Sequence, residues 1–210
     1  MTGRSAATAP LVVGIGGSIR TRSSGELALR YCLRRAERAG ARTELLTAEE
    51  LQLPMFAPTT TRDPRADRLV DSVQRADALV IASPAYHAGI SGLVKNALDH
   101  LEELRDADPP YLDGRTVGCI TTSRGPQAGA LTLAALRSVV HALRGWPTPL
   151  GVVIDTSTAS FGPDDEPVQP TARNQLRIMT DQMLTAVGQR TVAPGADAER
   201  FSPNSTHQPS

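Results

Sequence analysis

The sequence predicts an α/β protein: a parallel sheet with helices on both faces. Three observations predict it. Five short apolar runs recur along the 210 residues. Helical stretches with apolar spacing lie between them. Every connection is of the crossover type that parallel strands need, and such sheets are buried on both sides.

The elements follow in order. Residues 11–15 are an apolar run that meets Gly16-Gly17, as a buried strand entering a tight turn does. From Ser24 on, Leu27, Ala28, Tyr31, Cys32, Leu33 and Ala36 recur at helical spacing, and Gly40 stands where a terminating glycine is expected. Residues 43–46 give a second strand. Residues 48–64 contain three prolines and a Thr-Thr-Thr run, which predicts an irregular connection. A helix is expected over 67–75 and a fully buried strand over 78–82, bounded by Ser83-Pro84.

Val94, Ala97, Leu98, Leu101 and Leu104 mark one face of an amphipathic helix, with Lys95, Asp99, Glu102 and Glu103 opposite. A loop over 106–114 precedes a fourth strand at 117–121. Leu131, Ala134, Ala135, Val139 and Leu143 predict another helix, and 150–154 the fifth strand. Leu176, Met179, Met183, Leu184 and Val187 complete a last helix. The expected organisation is one domain over 10–190, with a loose segment at 1–9 and a disordered tail at 191–210. Right-handed crossovers leave two common doubly wound orders. Five strands favour the flavodoxin-like three-layer sandwich of order 2-1-3-4-5. A ligand is then expected beyond the carboxyl ends of the strands.

Composition narrows the function. The 22 basic and 22 acidic residues cancel, and no basic stripe is visible, which argues against nucleic acid. No apolar run approaches the roughly 18 residues of a spanning helix, and no apolar signal region precedes the first strand. A cytoplasmic protein without a membrane partner is expected. Cys32 and Cys119 sit in apolar stretches without a C-x-x-C neighbour, as buried thiols do. His87, His100, His141 and His207 have no ligand spacing, so no metal is expected.

Three loops carry the candidate chemistry. After strand one comes G-G-S-I-R-T-R-S-S, residues 16–24. Its glycines allow a tight turn, while Ser18, Thr21, Ser23 and Ser24 offer hydroxyls and Arg20 and Arg22 positive charge. The following helix adds free N–H groups and a positive dipole end, so the loop suits a phosphate. Ser23 or Ser24 would also serve as a plain helix cap. Two arginines at a helix's positive end ask for a further reason. The loop lacks the Gly-Lys-Ser/Thr ending of a nucleotide P-loop, fails G-x-G-x-x-G at Ile19, and fails G-x-S-x-G at Arg20. A mononucleotide fits it best.

After strand three comes S-P-A-Y-H-A-G-I-S-G, residues 83–92, where backbone amides can meet a planar heterocycle and Tyr86 can lie beside it. His87 is a weak candidate base. After strand four, T-T-S-R-G-P-Q-A-G, residues 121–129, forms a turn that can flank the same ligand.

Together, G-G-S-I-R-T-R-S-S and S-P-A-Y-H-A-G-I-S-G-L-V-K-N-A-L-D-H-L resemble the NAD(P)H-dependent FMN reductase family over residues 11–154. The resemblance implies FMN as cofactor and NADPH or NADH as electron donor. It implies that Ser18, Arg20, Ser23 and Ser24 hold the phosphate. Pro84, Ala85, Tyr86 and His87 would line the ribityl chain and ring, and Ser123, Arg124 and Gly125 would border the isoalloxazine. It also implies a small-molecule acceptor and a homodimer or homotetramer, with Leu98 and Leu101 as interface or core residues. Many members carry Glu and Asn where this chain has Ala85 and His87, near the ring. Hydride chemistry belongs to the cofactor, so no catalytic side chain is nominated.

Three rival readings remain at this level. One is a flavin enzyme of a biosynthetic pathway on the same scaffold. Another is a flavodoxin-type electron carrier, which the 3% aromatic content and zero charge disfavour. The third is a regulatory domain for another phosphorylated ligand.

Overall fold

A computed structural model describes residues 9–58, 63–158 and 160–192. The segments expected to be loose, 1–9 and 191–210, lie outside these except for Ala9, Thr191 and Val192. The strands are β1 (Leu11–Gly16), β2 (Arg42–Leu46), β3 (Ala78–Tyr86), β4 (Gly89–Ile90), β5 (Thr116–Ser123), β6 (Trp146–Pro147) and β7 (Val152–Asp155). The helices are α1 (Ser24–Arg38), α2 (Pro64–Arg75), α3 (Gly92–Asp99), α4 (Pro126–Ala142) and α5 (Pro170–Val192). A 3-10 turn, His100–Leu104, prolongs α3.

The sheet runs β2-β1-β3-β5-β6, with β7 also beside β5 and β4 folded back on β3. With β6 and β7 counted as two halves of the fifth strand, this is the expected flavodoxin-like 2-1-3-4-5 order. The strands alternate as a two-sided sheet must. Leu11, Val13, Ile15, Leu79 and Ile81 face the layer of α2, α3 and α4. Val12, Ala78, Val80 and Ala82 face α1 and α5. Leu98 and Leu101, 2% and 0% exposed, belong to the first of these cores, so they are core residues of this chain. Among the described residues no helix is long and apolar enough to cross a membrane.

Several boundaries differ from expectation, each for a local reason. α2 starts three residues early because Asp63 caps it, accepting the Arg65 N–H at 2.8 Å, with Pro64 in the first turn where a proline loses nothing. β3 continues to Tyr86 rather than stopping at Ala82. β1 ends at Gly16, opposite Ala82, while Ser83 and Pro84 stay in register with Thr121 and Thr122 of β5. One flank of β3 is free there, so a proline need break no ladder bond. The chain then reverses through His87 and Ala88, at φ 52° and 60°, and β4 pairs back on Ala85 and Tyr86.

α4 begins at Pro126, so the connection after β5 shrinks to Arg124 and Gly125. The fifth strand is broken. β6 pairs with Thr116 and Val117, and β7 pairs with residues 120–123. The jog between them is fastened by Arg137 Nη1 donating to Thr148 O at 2.6 Å and by Leu150 N–H donating to Gln182 Oε1 at 3.0 Å.

Candidate functional site

Strand order reverses between β1 and β3, so the connections leaving them diverge to opposite faces and open a crevice. A cleft of about 530 Å³ lies there, lined from four connections: residues 17–25 (except Ile19), Pro84 to Tyr86, Thr122 to Arg124, and Thr156. That is within the roughly 300–1,000 Å³ of small-molecule sites.

The first connection is built on glycine. Gly16 has φ 128°, and a Cβ there would stand 2.0 Å from Ala82 O. Gly17, at φ 108°, donates its N–H to the same carbonyl at 3.1 Å. The backbone thus turns flush against β3 and feeds straight into α1. Ser23 caps α1: its Oγ accepts the Glu26 N–H at 3.3 Å and the Ser18 N–H at 3.4 Å. That leaves Ser23 one O–H to donate. Ser24 and Gly25 are the first residues of α1, where backbone N–H groups have no carbonyl one turn back. Among the described residues Ser18 Oγ is buried without a hydrogen-bond partner. Sequence placed Ser23 and Ser24 either as caps or as phosphate ligands, and Ser23 caps.

Charge here is positive. Arg20, Arg22 and Arg124 all line the cleft. Among the described residues Arg20 and Arg124 form no ion pair, whereas Arg22 is paired with Asp165. Glu26 is committed elsewhere: Oε2 accepts the Arg22 N–H at 3.1 Å and Oε1 accepts Arg30 Nε at 2.9 Å.

The second wall is the end of β3. Pro84 is buried, Ala85 half-buried, and Tyr86 56% exposed at the rim. Ser83 Oγ fixes this end by accepting the Ser91 N–H at 3.0 Å and donating to Pro84 O at 2.9 Å. His87 is exposed at the hairpin turn, outside the cleft lining. In the third wall Ser123 is buried and donates to Gly125 O at 2.7 Å. Arg124 is exposed and lines the cleft, while Gly125 caps α4 and does not.

Thr156 carried no sequence signal, because it depends on where the broken fifth strand ends. Its N–H donates to Ser123 O at 2.7 Å and brings it into the cleft. Beside it, the Ser157 N–H on Asp155 Oδ1 at 2.8 Å holds that carboxyl below the usual range.

No Asp, Glu, His, Lys or Cys is among the lining residues. The lining offers hydroxyls, amides and guanidinium groups, which bind and orient an anion and a flat ring without supplying an acid–base pair. The two thiols lie in the two cores, and burial pushes each up to about 12. Among the described residues no group of three His, Cys, Asp or Glu is placed to hold a metal ion.

A family model described as NADPH-dependent FMN reductase matches residues 10–159. The FMN reductase (NADPH) of Pseudomonas putida is 27% identical over 195 residues, covering 91% of this chain and 96% of the relative. The FMN-dependent NADPH-azoreductase of Staphylococcus aureus is 31% identical over 121 residues, 57% of this chain and 61% of the relative. Among solved structures, the NAD(P)H:(acceptor) oxidoreductase FerB of Paracoccus denitrificans superposes with TM-score 0.62 at 21% identity, over 86% of this chain and 98% of that one.

Proposed function

Because the chain belongs to the NADPH-dependent FMN reductase family, we propose that its cleft holds FMN with the phosphate on Ser18, Arg20, Ser23 and Ser24. In this reading the ring system lies across Pro84, Ala85 and Tyr86, with Ser123 and Arg124 on its other side. His87 and Gly125 act through the backbone turns they form, since neither lines the cleft. FMN held there would supply the redox chemistry between NAD(P)H and a small-molecule acceptor such as free flavin or a quinone.

The chain's own residues bind and orient. The observation that carries the reading is Ser18 Oγ, buried without a partner among the described residues beside the amino end of α1. Such a group costs free energy unless a ligand satisfies it. Ser18 lines the cleft, the helix dipole favours an anion, and Arg20 has no ion-pair partner among the described residues. Tyr86 and Ile19, 56% and 73% exposed, supply apolar surface near the cleft. A homodimer or homotetramer is the working form that the family resemblance implies.

The test is spectroscopic. Purified protein, reconstituted with FMN if necessary, is expected to show flavin absorbance that NADPH alone bleaches without air. Failure to take up FMN in titration would overturn the reading. Uptake without bleaching would make the protein a carrier.

A further inference from the structure

The three arginines of the cleft are not equivalent. Arg20 and Arg124 carry no counter-charge among the described residues, but Arg22 carries one of its own. Its Nη1 donates to Asp165 Oδ2 at 3.3 Å, and its Nη2 pairs with Asp165 Oδ1. Asp165 comes from the connection between β7 and α5, 143 residues away in sequence. A tight turn sets it in place. Gly162 N–H donates to Glu166 O at 2.9 Å, and Asp165 N–H donates to Gly162 O at 3.1 Å. Arg34 Nη2 then donates to Asp165 O at 3.1 Å, tying the turn to α1. The Asp165 side chain is 20% exposed against 63% for Arg22. The carboxylate is therefore the more buried partner and the guanidinium the more exposed one.

We propose that Asp165 is a specificity-determining residue: by pairing with Arg22, which lines the same cleft as Ser18, Arg20, Ser23 and Ser24, it withholds one positive charge from the cofactor's phosphate, and so limits how far the cleft prefers FMN over the same ring system without a phosphate. This rests on the FMN reading of the cleft. A guanidinium held at both terminal nitrogens is a charge-assisted fork already filled. A phosphate reaching it must exchange with a carboxylate that then stays nearby as a like charge. Riboflavin, lacking the phosphate, meets none of this.

The experiment is a fluorescence titration of apoprotein with FMN and with riboflavin, for the wild type, Asp165→Asn and Glu166→Gln. Asparagine is suited to the φ of 60° at position 165, so the turn is retained while the charge is lost. Glu166, which pairs with Arg34 at 3.5 Å, controls for a charge removed one residue away. Asp165→Asn is expected to tighten FMN about two- to fivefold at low salt, the worth of an exposed charge pair. Riboflavin affinity should stay constant, and the gain should shrink at high salt.

Unchanged or weaker FMN binding overturns the proposal. So does an equal shift for riboflavin, or an equal gain in Glu166→Gln. Should Asp165→Asn fail to fold, Asp165→Gly removes the same charge at a φ glycine favours. A wild type that takes up neither flavin would sink the FMN reading itself. A wild type that binds FMN, with a ratio Asp165→Asn does not move, would sink this inference alone.

Discussion

The side chain of Asn96 holds the backbone around Phe56, 40 residues earlier. Its Oδ1 accepts the Phe56 N–H at 2.9 Å, and its Nδ2 donates to Pro54 O at 3.0 Å and Leu53 O at 3.3 Å. One turn on, His100 Nε2 lies 3.0 Å from Pro54 O, and its ring meets Phe56 edge-on at 5.4 Å. Asn96 is 6% exposed, whereas Leu53 and Phe56 are half-buried and Pro54 is exposed, so these hydrogen bonds are partly buried. Asn96→Ala should lower stability by about 1–3 kcal/mol, because it removes three hydrogen bonds to partly buried backbone groups. Urea denaturation measures the loss, and limited proteolysis should gain cuts over 52–58. An unchanged midpoint would contradict this account of the connection.

Arg20 is tied to nothing else among the described residues, so its removal should act on the ligand. Arg20→Ala is expected to weaken FMN binding by about 1.5–3 kcal/mol, the worth of a hydrogen bond to a charged group. The melting temperature of the apoprotein should not move. Equal FMN affinity in the variant would remove Arg20 from the site.

Two glycines in positive φ separate conformational strain from collision. Gly40, at φ 89°, has no heavy atom within 4 Å of where a Cβ would stand, whereas at Gly16 the Cβ would meet a carbonyl oxygen at 2.0 Å. Gly40→Ala should cost only about 1–2 kcal/mol of backbone strain. Gly16→Ala should cost about 3 kcal/mol or more, since β1 must also part from β3. Chemical denaturation of both variants decides the order, and similar losses would mean that the first turn gives way more easily than its geometry implies.

Cys32 and Cys119 have folded-state values near 12, against an ordinary 9.0, chiefly because burial disfavours the thiolate. The folded state thus keeps protons that the unfolded chain releases. The stabilisation is fully present below about pH 9 and is lost as pH rises toward about 12. In native protein at about pH 8 neither thiol should react with iodoacetamide, while both should in urea. Mass spectrometry reads the result, and rapid native labelling of either would show an opening of that core.

Much of this architecture was legible in the residues, and where it was not the cause is local. β1, β3 and β5 are buried strands whose alternating residues fall on both cores, while the edge strand β2 buries only Leu46 and β7 only Val152 and Ile154, so the order followed from alternation and handedness. The hairpin after β3 was invisible because its turn is His87-Ala88, without the Asn-Gly or Asp-Gly signature that marks two left-handed residues. Pro84 and Pro126 were read as breaks. One lies in β3 where a flank is free, and the other opens a helix. In the candidate site, the glycine turn, the hydroxyls and the arginines were plain from their spacing. The pairing of Arg22 with Asp165 was not, because no local pattern links residues 143 apart. Asn96 stood inside the second motif, but its work, clasping residues 53–56, needed coordinates to see.

The broken fifth strand also bears on how the molecule keeps to itself. At that margin of the sheet a foreign strand would find ladder positions only on Trp146–Pro147 and Val152–Asp155. Between them the Thr148 carbonyl and the Leu150 amide are already occupied by Arg137 and Gln182. Two stubs, one containing a proline, are too short to template an added strand. A margin that would otherwise invite edge-to-edge aggregation is closed by side chains from α4 and α5.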